Sequence, residues 1–289
     1  MNSSLKAWLQ LVRLPAVFSA WSNTIAAHAI AFSGAMQWSL LGIQLIMSTC
    51  FFWGGMILND WFDYAEDARE RPFRPLPSGR IARSSALIAA ISLFVIGTIL
   101  SFCVSIPAVI VSVVLMAMIV AYDASKKQGN IAAIMMGSCR YLHWLLGLSA
   151  AALVWVDFLI PLAVGTYIMA VTWLSQQETT AKDPRDLNRV MLGIGMAALL
   201  VGATGLLVET AWIFLIVGLF MSAGLIAIVN RLKADFTPAT LQKGVMSLLI
   251  FAVLLDCALL LVNTQSWWAL GLLALVFPGK WVGRWLYAS

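Results

Sequence analysis

The stretch Asn59-Asp60-Trp61-Phe62-Asp63-Tyr64-Ala65-Glu66-Asp67 sets three aspartates and an asparagine where a long apolar run ends. In a helix continuing through it, Asp60, Asp63 and Asp67 project at relative angles of about 0°, 300° and 340°, taking 100° per residue. Three carboxylates then share one face within two turns, where they repel one another. A hard divalent cation relieves that repulsion, and Mg²⁺ favours such a site when phosphate oxygens complete its shell. Glu66 falls off the shared face and reads as structural. The chain continues Arg71-Pro72-Phe73-Arg74-Pro75-Leu76-Pro77-Ser78-Gly79-Arg80, so a basic loop follows the acids directly. An acidic cluster followed by a basic loop is chemistry for holding a metal-bound diphosphate. The bland alternative is a solvated helix end whose acids pair with Arg69, Arg71 and Arg74.

The elements that must position these residues are membrane spans. Sixty-two per cent of the 289 residues are hydrophobic and 11 per cent are charged, against about 25 per cent charged in soluble domains. Apolar runs near 15–33, 38–59, 84–104, 106–122, 131–153, 158–176, 190–207, 211–230, 245–263 and 267–279 approach or reach spanning length. The last is short, so the expected bundle has nine to ten transmembrane helices. The first run is read as a retained span, since the N-terminus lacks the pattern of a signal peptide. With the N-terminus inside, ten crossings place 17 of the 18 Lys and Arg residues in inner connections and leave Arg140 within the fifth run, as the positive-inside rule requires. Long polar loops near 60–83, 177–189 and 231–244 then cap the cytoplasmic side, where the chemistry is expected. The small size and compact loops lean towards a bacterial plasma membrane. Loop cations explained by membrane orientation suggest no nucleic-acid partner. Cys50, Cys103, Cys139 and Cys257 have no paired spacing and read as small core residues.

Further candidates follow from residue type and depth. Arg71, Arg74, Arg80, Lys126 and Lys127 are candidates to hold diphosphate oxygens, Arg with a planar fork and Lys as a point charge. The positive-inside rule accounts equally for cations at these places. Arg140 lies about ten residues into an apolar helix, where a charge is costly and faces a partner or a polar cavity. Contact with diphosphate or acceptor is the sharp reading, and pairing with Asp123 or another acid the bland one. Asn23 lies at comparable depth in the first span, either lining the cavity or joining helices. His143, three residues from Arg140 on one face, is a candidate for the acceptor side, although His28 and His143 both also read as satisfied interior histidines. Asp256, buried in the ninth span, reads as a structural hydrogen-bonding residue.

The run Asn59-Asp60-x-x-Asp63-x-x-x-Asp67, followed by Arg71-Pro-x-Arg-Pro-Leu-Pro-Ser-Gly-Arg-Ile81, resembles the first signature of the UbiA family of intramembrane prenyltransferases. Tyr122-Asp-Ala-Ser-Lys-Lys127, the segment Met136 to Gly147 and Leu254-Leu-Asp-Cys257 are similar to the EboC-like subgroup, and the resemblance covers nearly the whole chain. It implies a single domain over residues 1–289, an all-α bundle of transmembrane helices around a central cavity capped by cytoplasmic loops. It implies transfer of a polyprenyl group from its diphosphate to a lipophilic, often aromatic, acceptor, with Mg²⁺ required. By the resemblance, Asp60, Asp63 and Asp67 ligate Mg²⁺ with Asn59 contributing its amide oxygen; Arg140, singled out by its depth, is a further catalytic candidate. The family's second Asp-rich motif is weakened to Ser175-Gln-Gln-Glu-Thr-Thr-Ala-Lys-Asp-Pro-Arg-Asp186. Glu178, Asp183 and Asp186 are its only candidates for a second Mg²⁺, and Glu178 is also a cavity candidate. That departure keeps two alternatives open: a prenyl-diphosphate lyase or cyclase on the same fold, and a non-catalytic lipid-binding or transport protein.

Overall fold

The computed structural model of the chain describes residues 3–125, 129–177, 186–208 and 211–287, and among them there is no strand. The helices are α1 (Ser3–Leu11), α2 (Val17–Ala31), α3 (Trp38–Phe62), α4 (Tyr64–Glu70), α5 (Arg83–Phe102), α6 (Ile106–Ala124), α7 (Gly129–Leu148), α8 (Ile160–Ser175), α9 (Asp186–Leu207), α10 (Ala211–Ala234), α11 (Pro238–Thr264), α12 (Trp268–Leu272) and α13 (Val276–Tyr287). Helix starts are written into the sequence. Ser105 accepts a hydrogen bond from Ala108 N ahead of α6, and Thr237 from Thr240 N ahead of α11. Proline occupies the first turn of both, where its missing N–H costs nothing.

Seven helices among the described residues are long and apolar enough to cross a membrane: α3, α5, α6, α7, α8 with its short lead-in, α9 and α11. Nine to ten spans were expected, and two of the expected runs are built differently. The first opens with Arg13 in the left-handed region (φ 48°) and a 3-10 turn at Leu14–Ala16, which leaves α2 only 15 residues. The last run is α12, a 3-10 turn at Leu273–Leu275 and α13 in continuous succession. Pro278 has no N–H to bond the carbonyl four residues back, so the turn before it tightens. Even so, this broken rod reaches from Trp268, edge-on to Trp38 at 5.4 Å, to Leu286, whose carbonyl accepts from Gln10 Nε2 at 3.3 Å.

The cap also differs from expectation. Residues 60–83 do form a polar cap, held by buried Leu76 and Ile81 and containing α4. The segment 231–244 is mostly helical, with 235–237 between α10 and α11, because Thr237 and Pro238 start α11 early. The connection at 177–189 lies largely outside the described residues.

Outer faces carry the apolar surface that a bilayer wants, as α5 exposes Ile88, Ile91, Val95 and Ile99 at helical spacing. With hydrocarbon outside, close backbone approach supplies the packing between helices. A Cβ placed on Gly137 of α7 would lie 2.6 Å from the Gly165 carbonyl oxygen of α8. We expect Gly137→Ala to destabilise the protein by about 1–3 kcal/mol. Gly42, with nothing near its Cβ position, should accept alanine without loss. Thermal unfolding of both variants in detergent checks this, and equal midpoints would refute it.

Candidate functional site

The acidic stretch is a bent helix end. α3 stops at Phe62 and α4 starts at Tyr64, with Asp63 as the joint between them (φ −79°, ψ 2°). Backbone bonds from Asp63 N to Asn59 O and from Asp67 N to Asp63 O carry the helical path across it. Asp60 and Asp67 therefore turn inward together and are 5 % and 2 % exposed, while Asp63 is half-buried. Arg74 Nη1 lies 2.7 Å from Asp67 Oδ2 and 3.6 Å from Asp60 Oδ1. Arg71 lies 3.7 Å from Asp67, and Arg13 Nη2 donates to Asp60 at 3.1 Å. The shared face expected for the acids is thus realised for Asp60 and Asp67, with arginines neutralising them.

Arg13 was missed in the sequence, where it reads as an ordinary inner cation; its left-handed backbone is what turns it towards Asp60. Arg80 goes elsewhere, donating to Gln10 Oε1, Ser78 Oγ and the Phe73 carbonyl, and so straps the cap to α1. Lys126, Lys127, Glu178 and Asp183 lie outside the described residues. Asp186 begins α9.

No three His, Cys, Asp or Glu side chains among the described residues form a ready metal cluster. The donor set still suits Mg²⁺, which is held through one or two carboxylates plus substrate phosphates rather than by an all-protein cage. Asn59 donates from Nδ2 to Asp123 Oδ1 at 3.0 Å, which assigns its Oδ1 the role of free acceptor. Asp123, which had been weighed as a partner for Arg140, is the residue that orients Asn59.

Inward of the acids, a cavity of about 110 Å³ opens among α3, α6 and α7. Phe51, Phe52, Met56, Leu115 and Ile119 make it mostly apolar, and Asn59 and Asp123 line it towards the acidic end. Arg140 and His143 line it as well. Arg140 Nη1 donates to Asn23 Oδ1 at 2.5 Å, and Asn23 Nδ2 donates to both oxygens of Asp256. Ser22 Oγ and Trp144 Nε1 also donate to Asp256. Arg140, Asn23 and the Asp256 carboxylate therefore belong to one network tying α2, α7 and α11. His143 Nε2 is paired with Ser48 Oγ at 2.9 Å. His28 is satisfied on both nitrogens, by Gln44 and by the Gln37 N–H.

Known proteins resemble this chain in sequence and in fold. The sequence profile of the UbiA prenyltransferase family matches residues 20–241. A digeranylgeranylglyceryl phosphate synthase of Sulfurisphaera tokodaii is 34% identical over 131 residues, 44% of this chain and 46% of the relative. One from Saccharolobus solfataricus is 31% identical over 111 residues, 38% of this chain and 39% of the relative. These matches span less than half the length of the curated relatives. Among solved structures, a digeranylgeranylglyceryl phosphate synthase superposes with a TM-score of 0.72 at 20% identity, covering 91% of this chain and 99% of the other. A UbiA homologue from Archaeoglobus fulgidus, bound to DMAPP and Mg²⁺, superposes at 0.62 and 14% identity, covering 88% and 98%. At these identities the structural likeness establishes the fold alone. The two synthase sources and Archaeoglobus are archaeal, so they lend no support to a bacterial membrane.

Proposed function

Because the chain belongs to the UbiA prenyltransferase family, we propose that it is a Mg²⁺-dependent prenyltransferase of the membrane interior, moving a polyprenyl group from its diphosphate to a lipid-soluble acceptor. The observation that carries this reading is the convergence of buried Asp60 and Asp67 on Arg74, with Asp60 next in the chain to Asn59, which lines an apolar cavity. Asp60, Asp63 and Asp67, with the Asn59 amide oxygen, are the proposed ligands for Mg²⁺. The bound cation would offset charge developing on the leaving diphosphate. Arg13, Arg71 and Arg74 neutralise the acids before substrate arrives, and their guanidinium forks suit phosphate oxygens equally well. Lys126 and Lys127, which lie outside the described residues, are proposed from the sequence alone to add charge for the diphosphate. The positive-inside pattern supports a cytoplasmic position for this end and for the N-terminus.

As the C–O bond lengthens, cation character grows at C1 of the prenyl chain. The apolar lining keeps water away from C1, where it would give only the prenyl alcohol. The acceptor is proposed to be lipid-soluble because the cavity that would admit it is apolar. The curated relatives are named for making a lipid, digeranylgeranylglyceryl phosphate. One observation favours the transport or lipid-binding alternative: the Arg140–Asn23–Asp256 network lies deep in the bundle, where transporters place ionisable residues.

Diphosphate release from farnesyl and geranylgeranyl diphosphate tests the proposal. The purified protein is assayed with Mg²⁺ or with chelator, in the presence of a membrane lipid extract. Mg²⁺-dependent release with a prenylated lipid detected by mass is the expected result. Release that yields only prenyl alcohol or a cyclised hydrocarbon would replace transferase with lyase. Binding without release would leave the non-catalytic alternative.

A further inference from the structure

The deep end of the cavity is polar, which is unexpected for a chamber whose only task is to shelter a prenyl chain. His143 is 7 % exposed, and its Nδ1 is buried with no hydrogen-bond partner among the described residues. Its other nitrogen is fixed by Ser48, so the ring cannot turn away without losing that bond. Arg140 lines the same cavity. Among the described residues its one side-chain hydrogen bond uses Nη1, towards Asn23, whereas a guanidinium carries five N–H donors. With Ser48 Oγ donating to Nε2, Nδ1 carries the ring hydrogen, and both unused functions are then donors for a ligand carrying oxygen acceptors.

Depth separates this place from the acids. Ser48, the partner of His143, precedes Asp60 by twelve residues of α3, about 18 Å of helix rise. A diphosphate held at Asp60 and Asp67 is much shorter than that. The Arg140 end is thus near the middle of a bilayer core about 30 Å thick, and the diphosphate does not reach it.

The charge at this place is also arranged for a ligand. Asp256 offsets the Arg140 cation from a distance, because the Asn23 amide stands between guanidinium and carboxylate. Asp256 is itself saturated by Ser22, Asn23 and Trp144. Arg140 therefore keeps its remaining donors for the cavity while the network holds its position. Asn23 and Asp256 are positioning residues in this arrangement.

We propose that Arg140 and His143 form a second, mid-membrane subsite that binds the oxygen-anion head, of carboxylate size, of an amphiphile whose apolar body fills the cavity. This assignment rests on the prenyl-transfer reading only in naming that amphiphile as the acceptor. The subsite itself stands on the geometry. It also gives the prenyl chain a direction, since a chain running down α7 would meet charge; the chain leaves sideways, between helices, towards lipid.

The test is equilibrium binding to the full-length protein in detergent, with para-hexylbenzoate as probe. Its alcohol and amine analogues, para-hexylbenzyl alcohol and para-hexylbenzylamine, serve as head-group controls. The benzoate is expected to bind at least tenfold more tightly than either control. Arg140→Gln should abolish that preference, whereas Arg140→Lys, which keeps the charge but loses the fork, should retain part of it. The lysine variant also covers the case in which the neutral one fails to fold. Farnesyl diphosphate binding should change less than twofold in both variants. Equal binding of acid and alcohol, or a preference that survives Arg140→Gln, would overturn the subsite. Competition between benzoate and farnesyl diphosphate, with both weakened by Arg140→Gln, would assign Arg140 to the diphosphate and overturn it too. If farnesyl diphosphate does not bind while the benzoate does, the transferase reading falls and the subsite stands.

Discussion

Replacing Asp67 by asparagine will lower Mg²⁺-dependent diphosphate release from farnesyl diphosphate by about 10²–10³-fold, the effect of removing one strong electrostatic contact to a developing anion. Asp67 is the most buried of the three acids and holds two arginines, Arg74 at 2.7 Å and Arg71 at 3.7 Å. Asparagine keeps its shape and one acceptor oxygen but loses the charge that a divalent cation needs. The fold should survive, because Arg74 retains Asp60 at 3.6 Å and Arg71 is partly exposed. Glu66 supplies the control: it is exposed and its side chain does not join the arginine cluster, so Glu66→Gln should change release less than twofold. Rates for both variants across a Mg²⁺ titration decide the matter. Wild-type release by Asp67→Asn at saturating Mg²⁺ would remove this carboxylate from the site.

The second large effect concerns stability. Asp256→Leu will destabilise the protein by about 2–5 kcal/mol. Three side chains, Ser22, Asn23 and Trp144, donate to this one carboxylate, and Arg140 is tied to it through Asn23. Single hydrogen bonds between membrane helices contribute about 0.6 kcal/mol on average, which for three gives the lower figure. The upper figure applies if the Arg140 charge is left without compensation inside the bundle, as when one member of a buried pair is removed. Asp256→Asn should cost about 1 kcal/mol, because its amide oxygen still accepts from some of the same donors. Thermal unfolding in detergent separates the two variants, and a leucine variant as stable as wild type would show the network to be dispensable.

Much of this molecule could be read from residue order. Apolar runs located the main spans because a bilayer core demands a minimum length of apolar helix, which is a one-dimensional property. The common face of Asp60 and Asp67 was legible because spacing along a helix sets angle, and the bend at Asp63 preserves the helical path. The position of Arg140 midway along an apolar helix was legible for the same reason. Partners were not. Arg13 meets Asp60 across 47 positions, and Ser22 meets Asp256 across 234. No local pattern encodes such pairs; they exist only once α2, α3 and α11 have packed. The sequence likewise offered Arg140 several destinations, including Asp123 and a diphosphate. Packing sent Asp123 to Asn59 and Arg140 to Asn23. Residue types and spacing by themselves determined that a bundle of helices of spanning length carries an acidic edge followed by a basic loop. Which charges are neutralised at that edge, and which face the cavity, was decided by tertiary structure, because burial makes an unpaired charge costly and long-range contact alone supplies the partner.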